Sequence, residues 1–115
     1  MKLSQVHLSF TNYVSAIRFF KVVLNQTPIL ESEEKTIFQT ETMELVFRPD
    51  WGEGDTIAIL RFESQDCDHD YAQAMEHGAR SQSTPSVVGN SLIGCVFGPG
   101  KVMIEFEQLL TKNII

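Results

Sequence analysis

The amino-acid sequence predicts an α+β fold built from two tandem β-α-β-β-β modules in one domain spanning residues 1–115. Three observations predict it. The order of strand-like and helix-like stretches is the same in residues from about 1 to 50 and from about 55 to 110. Short phrases recur at equivalent places: "HLSF" before the first helix answers "ILRF" before the second, and "MEL" at Met43 answers "IEF" at Ile104. Between the halves lies "PDWGEGD" (Pro49 to Asp55), where Pro, two Gly and acids mark a linker.

The first module opens with "QVHLSF", which alternates Val6, Leu8 and Phe10 against Gln5, His7 and Ser9, as a strand with one buried face does. Thr11 or Asn12 then caps a helix, "YVSAIRFFKVVL", whose apolar stripe runs through Val14, Ile17, Phe20 and Leu24. Asn25 suits a left-handed helix end, and Pro28 prevents resumption. Three short strands follow, "PILESE", "KTIFQT" and "MELVFR", with turns near Glu34 and Glu41. The second module repeats the order. "TIAILRF" is its strand, "DYAQAMEHGAR" its helix closed by Gly78, and "QSTPSVV", "SLIGCVF" and "KVMIEFEQ" its last three strands. "GPG" (Gly98 to Gly100) joins the final two as a turn, with no helix after it to make a phosphate site.

Composition excludes more than it identifies. Nine Lys and Arg against fifteen Asp and Glu leave a formal charge of −6. Nucleic-acid binding draws its affinity from basic residues, so that class is set aside. A cationic ligand is compatible with the balance. No apolar run approaches the ~20 residues of a membrane span. "MKLSQVHLSF" turns polar too early for a secretory signal, so the expected location is the cytoplasm. Cys67 and Cys95 form no CxxC pair, and two reduced, non-catalytic thiols are expected.

Strand alternation gathers the polar candidates on one face. In the last strand Val102, Ile104 and Phe106 face the helices, while Met103, Glu105 and Glu107 face the other way. Glu44, Val46 and Arg48 share that second side, joined by Gln5, His7 and Ser9 and by Ile57, Ile59 and Arg61. Polar groups scattered among apolar ones are the makeup of a small-molecule site, and equally of a solvated sheet face. Arg48 and Arg61 either hold an anionic ligand or pair with the two glutamates. Trp51 either stacks on a ligand as a lid or packs against its own sheet.

The doubled module resembles the vicinal oxygen chelate superfamily, which holds glyoxalase I, bleomycin resistance proteins and extradiol dioxygenases. "VHLSFTNYVSAIRFFKVVLN" resembles the family's opening strand and helix, "AMEHGA" the end of its second helix, and "FGPGKVMIEFEQ" its closing phrase. The resemblance implies cupped mixed sheets with the helices outside, and clefts completed by a second copy in a homodimer. It also places metal-ligand positions on Gln5, Glu44 and Glu105, with one glutamate acting as catalytic base in the lyase version. The fourth position falls on Ile57, which cannot coordinate a metal, so the site is weak unless His7 substitutes as a ligand. Of the three histidines only His7 is placed for a cleft, so the two-histidine iron site of a dioxygenase is set aside. The expectation is a small-molecule-binding protein that sequesters a drug or metabolite, with no cofactor or at most a weakly bound divalent metal. Its ligand-binding residues would be His7, Arg48, Trp51 and Arg61. The alternative is a metal-dependent lyase or isomerase of the glyoxalase I kind, using Glu44 and Glu105.

Overall fold

The computed structural model describes residues 1–110. Its elements follow the expected order: β1 (Gln5–Phe10), α1 (Tyr13–Val23), β2 (Leu30–Glu31), β3 (Thr36–Gln39), β4 (Glu44–Pro49), β5 (Ile57–Glu63), α2 (Cys67–Glu76), β6 (Arg80–Val88), β7 (Ser91–Phe97) and β8 (Lys101–Leu109). The chain divides into two compact units, Met1–Ile57 with Pro99–Lys101, and Ala58–Gly98 with the chain from Val102. The tandem β-α-β-β-β repeat is thus present, one four-stranded sheet to each module.

The first sheet has the order β1-β4-β3-β2. β1 and β4 run parallel, pairing Gln5 with Glu44, His7 with Val46 and Ser9 with Arg48. β3 is antiparallel to both β4 and β2, so the sheet is mixed. One face carries Leu8, Phe10, Phe38 and Phe47, all buried, and α1 covers it with Ala16, Ile17, Phe19 and Phe20. Phe10, Phe20 and Phe38 ring Phe47 at centroid distances of 5.4, 4.6 and 5.4 Å. Edge-to-face and tilted contacts of this kind suit the aromatic quadrupole.

Asn12 is the N-cap of α1, but its side chain caps nothing. Thr11 instead ties the entry, donating from its amide to Asp55 Oδ1 at 2.7 Å and from its hydroxyl to Oδ2 at 3.2 Å. Asn25 takes the left-handed conformation at φ 50°, as expected after the helix. β2 is shorter than "PILESE" suggests, only Leu30–Glu31, because Ser32 closes a tight turn onto Lys35.

The second sheet has the same order in its own numbering, β5-β8-β7-β6. β7 is antiparallel to both neighbours, with Cys95 opposite Glu105 and Ile93 opposite Glu107. Val102, Ile104 and Phe106 are buried, whereas Met103, Glu105 and Glu107 are half-buried, as the alternation predicts. α2 begins at Cys67, three residues before Asp70. Asp66 caps it by accepting from the His69 amide at 3.1 Å, a start signal carried by one side chain rather than by periodicity. Gly78 ends it at φ 103°, a conformation that strains any residue with a Cβ. The Gly98–Gly100 turn is also present, closed by Gly98 N–H on the Val102 carbonyl at 2.8 Å.

Both cysteines are free and buried. Burial pushes both thiols above their ordinary range, and Glu105 adds to the effect at Cys95. A disulfide-exchange reagent is therefore expected to label neither thiol in the native protein over minutes and both after denaturation. Fast native labelling would show that one of the two sites opens readily.

Candidate functional site

The polar residues singled out in the sequence resolve into three groups. The first is set by the β1–β4 register, which places Gln5 beside Glu44. Gln5 Nε2 donates to Glu44 Oε1 at 2.7 Å, and Gln5 Oε1 lies 3.0 Å from His7 Nε2. Gln5, His7 and Glu44 thus form one hydrogen-bonded row along the sheet face. Beside it is a depression of about 240 Å³ lined by Lys2, Ser4, Gln5, Gln39, Thr42, Met43 and Glu44. That is smaller than the ~300–1,000 Å³ of typical ligand pockets. Ser9, next along the same face, is buried: its hydroxyl donates to the Gly54 carbonyl at 2.6 Å and lies 3.0 Å from Thr56 Oγ1.

The second group lies in the linker. Arg48 does not pair with Glu44. It makes a two-pronged contact with Glu53, with Nη2 to Oε2 at 3.1 Å. Arg48 is four residues along β4 from Glu44, roughly 13 Å at ~3.3 Å per residue, beyond side-chain reach for a paired geometry. The guanidinium holds the Glu53 carboxyl below the usual range through that hydrogen bond. Its carbon also sits 5.0 Å from the Trp51 ring centroid, a cation–π contact. Asp50 Oδ1 accepts from the Gly52 and Gly54 amides at 2.8 and 2.7 Å, and these bonds depress the Asp50 carboxyl. Trp51 remains 63% exposed, with one ring face taken by Arg48.

The third group belongs to the second sheet. Arg61 Nε lies 2.9 Å from Glu105 Oε1 and Arg61 Nη1 lies 3.6 Å from Glu107 Oε1. Glu107 also accepts from the Ser91 hydroxyl at 2.8 Å. Of the two alternatives for this arginine, the structure has the pairing with glutamate. Glu53 and Glu107 are the partners that were not singled out as site residues. Glu107 was legible, since it shares its face with Glu105 two residues on. Glu53 carried no signal beyond its closeness to Arg48 in sequence.

The donor set decides whether these residues fit a divalent ion. Ile57 is 80% exposed and offers no donor atom. The amide oxygen of Gln5, the atom that would ligate a metal, faces His7 Nε2 at 3.0 Å. A guanidinium already occupies Glu105, and a second cation there would meet its repulsion. Gln5, Glu44 and Ile57 belong to one compact unit and Glu105 to the other, and among the described residues no group of three or more His, Cys, Asp or Glu is gathered for a metal. No helix in the described residues is long and apolar enough to cross a membrane.

No family model matches the chain, and no curated protein does. Solved structures match it closely in shape. A glyoxalase/bleomycin resistance protein/dioxygenase family enzyme from Burkholderia phytofirmans PsJN superposes with a TM-score of 0.82 at 16% identity, over 96% of this chain and 100% of that one. A glyoxalase-related enzyme from Fulvimarina pelagi gives 0.81 at 14% identity, covering 94% and 88%. Lactoylglutathione lyase from Agrobacterium tumefaciens gives 0.72 at 13% identity, covering 92% of each chain. With its duplicated module and its two sheets of matching strand order, the chain has the fold of the vicinal oxygen chelate superfamily.

Proposed function

We propose that the protein binds a small molecule without a resident metal, on the sheet face that carries Gln5, His7 and Glu44. The observation that carries this reading is the Arg61–Glu105 ion pair at 2.9 Å. It gives the carboxylate a fixed cation of its own where a metal enzyme of this fold would need that carboxylate open. Trp51, with one ring face uncovered, supports a flat ligand or a flat part of one. The charge of −6 favours neutral or cationic molecules over anions. A cytoplasmic homodimer is part of the same proposal.

Protein purified without chelator is expected to carry well under one equivalent of divalent metal. Added Ni²⁺, Mn²⁺ or Zn²⁺ at ~100-fold over the protein should raise its melting temperature by less than about 2 °C, since a ligand stabilises only in proportion to its occupancy. Stoichiometric metal that is lost in Glu105→Gln would replace this reading with the metal-dependent lyase. Titration of a panel of flat neutral and cationic compounds, followed by Trp51 fluorescence, tests binding directly; a silent panel counts against it.

A further inference from the structure

Glu44 is held from one side only. Gln5 donates its amide NH₂ to Glu44 Oε1 at 2.7 Å, and the carbonyl end of the same amide lies 3.0 Å from His7 Nε2, so Gln5 is pinned at both ends. Glu44 Oε2 has no partner among the described residues, although the residue is half-buried. The cross-strand neighbour of Glu44 on β3 is Gln39. Side chains paired in this way share a sheet face, with Cβ atoms about 5 Å apart. Gln39 turns its NH₂ onto the main-chain carbonyls of Thr40 at 2.7 Å and Met43 at 3.4 Å, which leaves its Oε1 as the free end. Gln5, Gln39 and Glu44 all line the depression of about 240 Å³. Both amides have thus committed their N–H groups elsewhere. What remains is a carboxylate oxygen and an amide oxygen, and each of these can only accept.

Resting on the binding reading above, we propose that this depression anchors the ligand, and that it takes the N–H-bearing positive end of an organic cation, a protonated amine or amidine, on Glu44 Oε2. A bond from a charged donor to a carboxylate is about twice as strong as one between neutral groups. A cation with several N–H groups serves Glu44 and Gln39 together. An anion meets the Glu44 charge, and a quaternary ammonium has no hydrogen to donate. Lys2 is the one cationic residue in the lining. It belongs to the exposed stretch before β1 and makes no ion pair among the described residues, so it is a competitor for Glu44 rather than its fixed partner. The volume suits a small cation or the charged end of a larger molecule.

The test is a titration with benzylammonium chloride at neutral pH, where the amine keeps its proton, followed by the amide signals of ¹H–¹⁵N NMR spectra. The side-chain NH₂ signals of Gln5 and Gln39 and the backbone signal of Glu44 are expected to shift saturably. Benzyl alcohol has the same shape without the charge, and benzyltrimethylammonium has the charge without N–H; each should bind about tenfold more weakly or worse. Glu44→Gln keeps an oxygen for Gln5 and puts an NH₂ in place of Oε2, so it should abolish the preference for benzylammonium, with unchanged signals away from the depression verifying its fold. Glu34→Gln removes one exposed charge from the same compact unit and should leave the preference intact. Lys2→Gln should bind benzylammonium at least as tightly as the parent. Equal affinity for the three compounds, a preference that survives Glu44→Gln or vanishes in Glu34→Gln, or weaker binding in Lys2→Gln overturns the proposal. Any of these beside a responding Trp51 fluorescence panel leaves small-molecule binding standing; no shift with any compound, together with a silent panel, removes both.

Discussion

Phe47→Ala is expected to cost about 3–5 kcal/mol, the usual loss for an aromatic side chain removed from a core. Phe47 is 0% exposed at the middle of β4, where Phe10, Phe20 and Phe38 all pack on its ring. Its removal strips a partner from each of them at once, and α1 loses the contact between Phe20 and the sheet. Domains of this size have only about 5–15 kcal/mol of total stability, so the variant should be partly unfolded at room temperature or melt far below the parent. The measurement is the urea midpoint followed by circular dichroism, at unchanged slope. Phe97→Ala is the control. Phe97 is 40% exposed, and its ring serves mainly as a seat for the Arg80 guanidinium 5.4 Å away, so its loss should cost under about 1 kcal/mol. Comparable midpoints for the two variants would show that the aromatic cluster is not what holds the first unit together.

That contrast between two phenylalanines marks what could be read from sequence. Phe10, Phe20 and Phe47 sit at strand or helix periodicity, and periodicity predicts a buried face wherever a long element supports it. The two helices, the doubled strand order and the split of β8 into inner Val102, Ile104, Phe106 and outer Met103, Glu105, Glu107 were legible for this reason. The start of α2 was not, because Asp66 capping His69 is a single side-chain bond outside any repeating pattern. Side-chain pairing was legible only where backbone pairing forces it. Gln5 meets Glu44 because parallel strands put them in register. Arg48 turned instead to Glu53, in a linker whose path depends on two left-handed glycines, Gly52 and Gly54, and on the Asp50 carboxylate that binds their amides. Alternation places a residue on a face but does not say which neighbour an arginine will reach.

Ile104→Asp and Glu105→Gln, one residue apart, should differ in effect by several kcal/mol. Ile104 is 0% exposed, opposite Val96 in the register, and its side chain lies so close to Gly98 that a Cβ there would come within 2.9 Å of it. A carboxylate at this position has no cation to meet and no space for water. It must either bury an unpaired charge, at several kcal/mol, or take up a proton and still lose the packing of Ile. Ile104→Asp is therefore expected to be unfolded, or to be recovered only below about pH 4, where an ordinary carboxyl is protonated. Glu105 points to the other face, where its side chain is 23% exposed beside an Arg61 that is 49% exposed. Partly exposed pairs of this kind are worth about 0–1 kcal/mol, and Glu107 remains to hold Arg61, so Glu105→Gln should shift the midpoint little. Circular dichroism melts of the two variants beside the parent read the difference. A strand tolerates an acid between two core residues because successive side chains belong to different solvents. A stable Ile104→Asp or a collapsed Glu105→Gln would mean that β8 does not present those faces, and the Arg61–Glu105 ion pair would lose its footing.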